Sequence, residues 1–125
     1  MIEVLNVIDK CLESIGINYE FGSWTSDVKY PYFVGEYEEG EPTSEDGLTE
    51  SIFILNGFSR NDWLALEKAK QKIKKLFNTI SGKIVTTETN AVVAIFYTNS
   101  TSVPTGDKEL KKVEIRLKIK KWSVV

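Results

Sequence analysis

The sequence predicts an α+β domain in which two main helices pack on one face of a mixed, mostly antiparallel β-sheet with a long β-hairpin. Three observations predict it. Residues 2–15 and 60–80 each place apolar side chains every three or four positions, the period of a one-sided helix. Residues 112–120 instead alternate charged and apolar with period two, the pattern of a half-buried strand. The order along the chain is helix, three strands, long helix, three strands, so the classes do not alternate as in a parallel α/β fold. At 125 residues the chain reads as a single α+β domain, residues 1–125, able to bury a core without disulfides or metal.

The first helix is carried by Ile2, Leu5, Ile8, Leu12 and Ile15, with Glu3, Asp9, Lys10 and Glu13 on the other side. Gly16 followed by Ile17 fits a left-handed stop with an apolar residue just beyond it. Ile17, Tyr19 and Phe21 alternate with Asn18 and Glu20, a short strand ending at Gly22-Ser23, and Trp24 to Asp27 read as loop. Tyr30 to Tyr37 and Ser51 to Phe58 are aromatic and β-branched, which marks two strands. Pro31 belongs at the start or edge of the first, because it has no N–H for a ladder. Between them, residues 38–49 carry Gly40, Pro42, Gly47 and a run of acids, and the polar composition predicts a mobile hairpin tip.

In the second helix, Leu66, Ala69 or Lys70, Ile73, Leu76, Phe77 and Ile80 form one stripe. Ser59 and Asp62 resemble a capping box, and Ser81-Gly82 supplies the stop. Residues 83–87 read as a strand. Ala91 to Tyr97 is an unbroken apolar run, expected as a central strand covered on both faces. Residues 98–108 read as a polar loop. In the last strand Val113, Ile115, Leu117 and Ile119 point one way, and Lys112, Glu114, Arg116, Lys118 and Lys120 the other. Lys120 and Lys121 then break the alternation, which predicts a β-bulge there and a strand end free to change sheets.

The composition excludes several chemistries. There is no histidine, so Ser-His-Asp and Cys-His catalysis and histidine-ligated zinc are out. The single cysteine, Cys11, lies in the first helical stripe and reads as a small core residue without an activating base. No glycine-rich phosphate loop, CxxC or HExxH occurs, and residues 36–47 do not follow the EF-hand order. No catalytic residue, metal or cofactor is expected. No stretch is long and apolar enough to span a membrane, and the acids near the N-terminus do not resemble a secretory signal; folding in the cytosol is expected.

Charge is divided along the chain. Residues 1–59 hold twelve acids against Lys10 and Lys29; residues 60–125 hold fourteen bases against six acids. This pattern invites nucleic-acid binding through Lys111, Lys112, Arg116, Lys118, Lys120 and Lys121. The exposed face of that strand, however, has no aromatic before Trp122, and the acidic half repels phosphate. Two further readings of these bases stand side by side. One is the solvated outer face of an edge strand protected against aggregation. The other is a subunit or partner interface in which Glu38, Glu39, Glu41, Glu45 and Asp46 of one copy meet Arg116, Lys118, Lys120 and Trp122 of the next, head to tail. There the apolar Trp24, Tyr30 and Trp122 would supply most of the affinity and the charges the register.

The helix, the Tyr30-Pro31-Tyr32-Phe33-Val34-Gly35-Glu36 strand, the acidic hairpin and Ile52-Phe53-Ile54-Leu55 together form a pattern similar to a known family. With the helix of Leu66, Ile73, Leu76 and Phe77 and the closing strand from Val113 to Ile119, the chain resembles the minor tail proteins of long-tailed bacteriophages, in particular the tail terminator or tail-completion group. The resemblance implies a virion protein made in the host cytoplasm and assembled as a homo-oligomeric, hexameric ring. That ring would cap the tail tube protein, stop its polymerisation and meet the head connector or stopper protein, with no catalytic residues. The alternative is a cytosolic protein-binding or adaptor module without catalytic activity.

Overall fold

The computed structural model describes residues 2–42 and 48–123, of which 39–42 are described as backbone alone. Its elements run α1 (Ile2–Ser14), β1 (Tyr19–Phe21), β2 (Tyr32–Pro42), β3 (Leu48–Arg60), α2 (Trp63–Leu76), β4 (Lys83–Thr86), β5 (Val92–Val103) and β6 (Leu110–Trp122). The strands form one six-stranded sheet in the order β1-β2-β3-β6-β5-β4. Only β1 and β2 pair in parallel; the other four pairings are antiparallel. The predicted fold class and element order are thus observed.

Both helices pack on the same face of the sheet. Val4, Val7, Ile8, Cys11 and Leu12 of α1 and Leu66, Ala69 and Ile73 of α2 join one buried cluster. From the sheet, Phe33, Phe53, Leu55, Val93, Ile95 and the alternating Val113, Ile115, Leu117 and Ile119 enter it. The four apolar positions of β6 therefore fulfil the period-two expectation. The buried face of α1 is rotated from the predicted stripe: Val4, Val7 and Cys11 are inside, whereas Ile2 is 76% exposed. Burial pushes the Cys11 thiol up, against a smaller opposing effect of the Lys83 charge. The Gly16 stop is as expected, with φ at +74° and Ile17 N–H donating to Leu12 O at 3.1 Å.

Two inward glycines make room for rings. A Cβ on Gly57 would strike the ring of Phe33, its register partner across β2 and β3, and one on Gly35 would lie 2.5 Å from the Phe53 ring. The glycines let two phenylalanine rings lie flat against the backbone of the hairpin.

Several local expectations are corrected. The β2–β3 ladder continues through Glu39↔Ser51 and, after a register shift, Pro42↔Thr49. Most of the predicted 38–49 hairpin tip is therefore strand, paired on its far side with β6 from Leu48↔Trp122 onward. Residues 43–47 lie outside the described residues. The predicted 98–108 loop is shorter, because β5 runs to Val103. A register shift between Tyr97 and Asn99 absorbs one residue, and Thr98 Oγ1 donates to Arg116 O at 2.8 Å. The bulge thus sits on β5, and none occurs at Lys120-Lys121, where β6 stays in register with β3 to Trp122. Lys121 keeps the inward parity but lies at the end of the core, where its Nζ is 3.9 Å from Glu3 on α1.

α2 is also shorter than predicted at both ends. Asp62, not Ser59, is the N-cap, accepting from Ala65 N–H at 3.0 Å. At the other end Phe77 drops into the core, and its carbonyl accepts from Tyr97 N–H at 2.8 Å. The Asn78 carboxamide oxygen then accepts from Ile80 and Ser81 N–H, turning the chain toward Gly82 and leaving Ile80 91% exposed. Asp62→Ala is expected to lower stability by about 1 kcal/mol, the usual value of an N-cap, in a urea unfolding curve.

Candidate interaction surface

The face of the sheet opposite the helices carries no packed element among the described residues. Its composition follows from strand parity, since residues that alternate with the core positions point away from it. Pairing across β2, β3 and β6 aligns these outward residues in rows. Glu36 pairs with Ile54 and Ile54 with Arg116; Glu38 pairs with Ile52 and Ile52 with Lys118. One strand pair further along, Glu50 pairs with Lys120. Across the sheet the order is therefore acid, isoleucine, base.

The bases are partly paired within the chain. Lys118 and Lys120 each place Nζ 3.9 Å from the Glu50 carboxylate, and Arg116 lies 3.6 Å from Glu114. At these distances and exposures each pair contributes little to stability, so the charges act mainly on what approaches the face. Ile52 and Trp122 are each 38% exposed on the same face.

An aromatic group occupies the other end of the sheet. Tyr32 is held between Trp24, at 4.9 Å between ring centroids, and Phe58, stacked at 5.1 Å, while Tyr30 lies 5.7 Å from it. Arg60 sits 5.9 Å over Tyr30 and Lys112 5.6 Å over Phe58, both within cation–π range. Arg60 is also bridged to Glu109 at 3.0 Å, and burial under its neighbours pushes the Tyr32 hydroxyl up. The rings cover one another's faces and form a packed cluster, not the row of free rings on which unpaired bases stack.

The sequence-predicted residues fall into three groups. Arg116, Lys118, Lys120 and Trp122 share the open face, and Glu38 stands exposed at its β2 side. Glu39 and Glu41 lie in β2 with only their backbone described, and Glu45 and Asp46 lie outside the described residues. Of the two readings of these bases, the edge strand is corrected, because β6 is central, between β3 and β5. The edges of the sheet are β1 and β4. Glu36, Ile52, Ile54, Phe58 and Tyr32 were not singled out as surface residues. The signal for two of them was present in Ile52-Phe53-Ile54-Leu55, an apolar run with no polar side to give to solvent.

A concavity of about 530 Å³ lies between α1 and the β4 end, lined by Glu3, Lys10, Cys11, Lys83 and residues 87–89. Glu3 accepts from the Thr89 hydroxyl at 2.7 Å, and the hydroxyls of Thr89 and Thr87 hold its carboxyl below the usual range. The groove thus contains a carboxyl held below its usual range and a thiol that burial pushes up against the smaller opposing pull of the Lys83 charge. Among the described residues there is no group of three or more acids or thiols placed to hold a metal ion. No described helix is long and apolar enough to cross a membrane.

No protein-family model and no curated protein matches the sequence. Among solved structures, a chain described as "Virion of native gene transfer agent (GTA) particle" is similar to this one. The TM-score is 0.63 at 6% identity, over 90% of this chain and 84% of that chain. At that identity the likeness is one of fold: two helices on a six-stranded, mostly antiparallel sheet, the fold of a chain in a virion particle.

Proposed function

We propose that this protein is a structural subunit of a phage-like virion, and within it a tail terminator that forms a hexameric ring on the tail tube and meets the head connector. The observation that carries the virion part of the reading is the fold likeness to a virion chain over nine-tenths of the sequence, and the terminator role rests on the resemblance of the sequence pattern. Two further features support it. An open sheet face with the exposed Ile52 and the half-buried Ile54 between opposed charges suits association with other protein surfaces. The lack of histidine and the burial of Cys11 leave little for catalysis.

In the ring, the acidic end of the β2–β3 hairpin (Glu38, Glu39, Glu41, Glu45 and Asp46) is the proposed contact for a neighbouring copy. The test is addition of the purified protein to unfinished tail tubes, followed by electron microscopy. A ring at one end of each tube, with tube length then fixed, is expected. Bare tubes that continue to grow contradict the terminator role.

A further inference from the structure

The outward residues of β2, β3 and β6 have a symmetry that a surface for an unrelated partner does not need. β3 lies midway between β2 and β6, roughly 4.8 Å from each. A two-fold axis running along β3 in the plane of the face exchanges the β2 side of one copy with the β6 side of another and keeps each row in place. Glu36 then meets Arg116 of the second copy, and Glu38 meets its Lys118, because each acid shares a row with that base. Tyr32 meets Lys112 by the same operation, and Ile52 and Ile54 meet their own copies on the axis. We propose that the open face binds a second copy of this chain as a closed, two-fold sandwich of sheets.

Three features favour this occupant. The first is charge balance: Glu36, Glu38, Glu50 and Glu114 stand against Lys112, Arg116, Lys118 and Lys120. A face whose charges cancel has no bulk attraction for a polyanion, but its Glu36–Arg116 and Glu38–Lys118 rows attract its own copy. Glu50, on the axis against its own copy, has Lys118 and Lys120 beside it. The second is area. Three strands at ~4.8 Å spacing and about eleven residues at ~3.4 Å give on the order of 540 Å² per copy. Over both copies that reaches the roughly 1,000 Å² total expected of a specific contact. The third is geometry: an axis along the strands keeps the two sheets within about 30° of alignment, the usual arrangement of a β-sandwich.

This contact closes at two copies and does not depend on the tail reading, which concerns larger rings and is judged on tail tubes. Sedimentation equilibrium of the full chain tests it with two charge-reversed variants, E36K/E38K and R116E/K118E. The wild type is expected at twice the 14.2 kDa chain mass. Each variant alone should associate at least ~100-fold more weakly, because both sides of its face then carry one sign. An equimolar mixture of the two should recover the dimer, since each acid side again faces a base side. Circular dichroism melting shows whether each variant is folded, and E36Q/E38Q with R116Q/K118Q replaces any that is not; this neutral pair should weaken self-association without recovery on mixing. A wild type that is monomeric, or that forms only larger species, overturns the proposal. Variants that dimerise alone as well as the wild type, or reversed variants that fail to recover on mixing, overturn it equally.

Discussion

Phe53→Ala is expected to lower the unfolding free energy by about 3–5 kcal/mol, the cost of removing a fully buried phenylalanine ring. Phe53 is wholly inaccessible and lies with ring centroids 6.2–6.3 Å from Tyr19, Phe21 and Tyr37. These neighbours come from β1 and β2, so one ring ties the short parallel strand to the hairpin. Relaxation into the space is limited, because the Gly35 backbone already lies under the ring and has no side chain to fill it. Domains of this kind are stable by only about 5–15 kcal/mol, so the loss removes a large share of the total. Urea unfolding followed by circular dichroism reads it as a fall in midpoint. A loss below about 1 kcal/mol would mean that Phe53 does not fill the core in this way.

The second large effect concerns association. Reversing Arg116, Lys118 and Lys120 together to glutamate should weaken self-association by about 100-fold or more, since like charges then face each other across the contact. The same change removes the approach of Lys118 and Lys120 to Glu50 and of Arg116 to Glu114. Those pairs are half-exposed and long, and each contributes at most about 1 kcal/mol to fold stability. The two consequences separate by experiment: the melting temperature should fall modestly while the association constant collapses. Lys72→Glu with Lys75→Glu, on the exposed side of α2, makes two of the same changes on the helix side of the molecule. That control should leave association nearly unchanged. Equal weakening by both sets would point to net charge and not to the sheet face.

The helices and the last strand were legible because each buries one side against a single core. The period of 3.6 in α2 and the period of two in Val113 to Ile119 survive directly into burial. Element ends were less legible, and for physical reasons. Ile80 continues the helical stripe in sequence, yet Asn78 closes a turn first and Phe77 takes the last core position. Residues 98–103 read as loop because they are polar, but Thr and Ser pair well in a ladder that stands on the solvent side of a bulge. The break at Lys120-Lys121 looked like a bulge and is instead the point where the core stops and Glu3 receives a lysine. Of the surface, the basic row was visible in β6 alone. Its central position and its acid–isoleucine–base neighbours depend on the pairing of three strands distant in sequence, which periodicity does not encode.

The most direct measurement is the mass of the wild-type chain by sedimentation over a hundredfold range of concentration, at low and at high salt. The expected result is association that grows with concentration and weakens as salt screens the charged rows. A single species of 14.2 kDa at every concentration and both salts would contradict the central claim, that this protein acts by binding copies of itself.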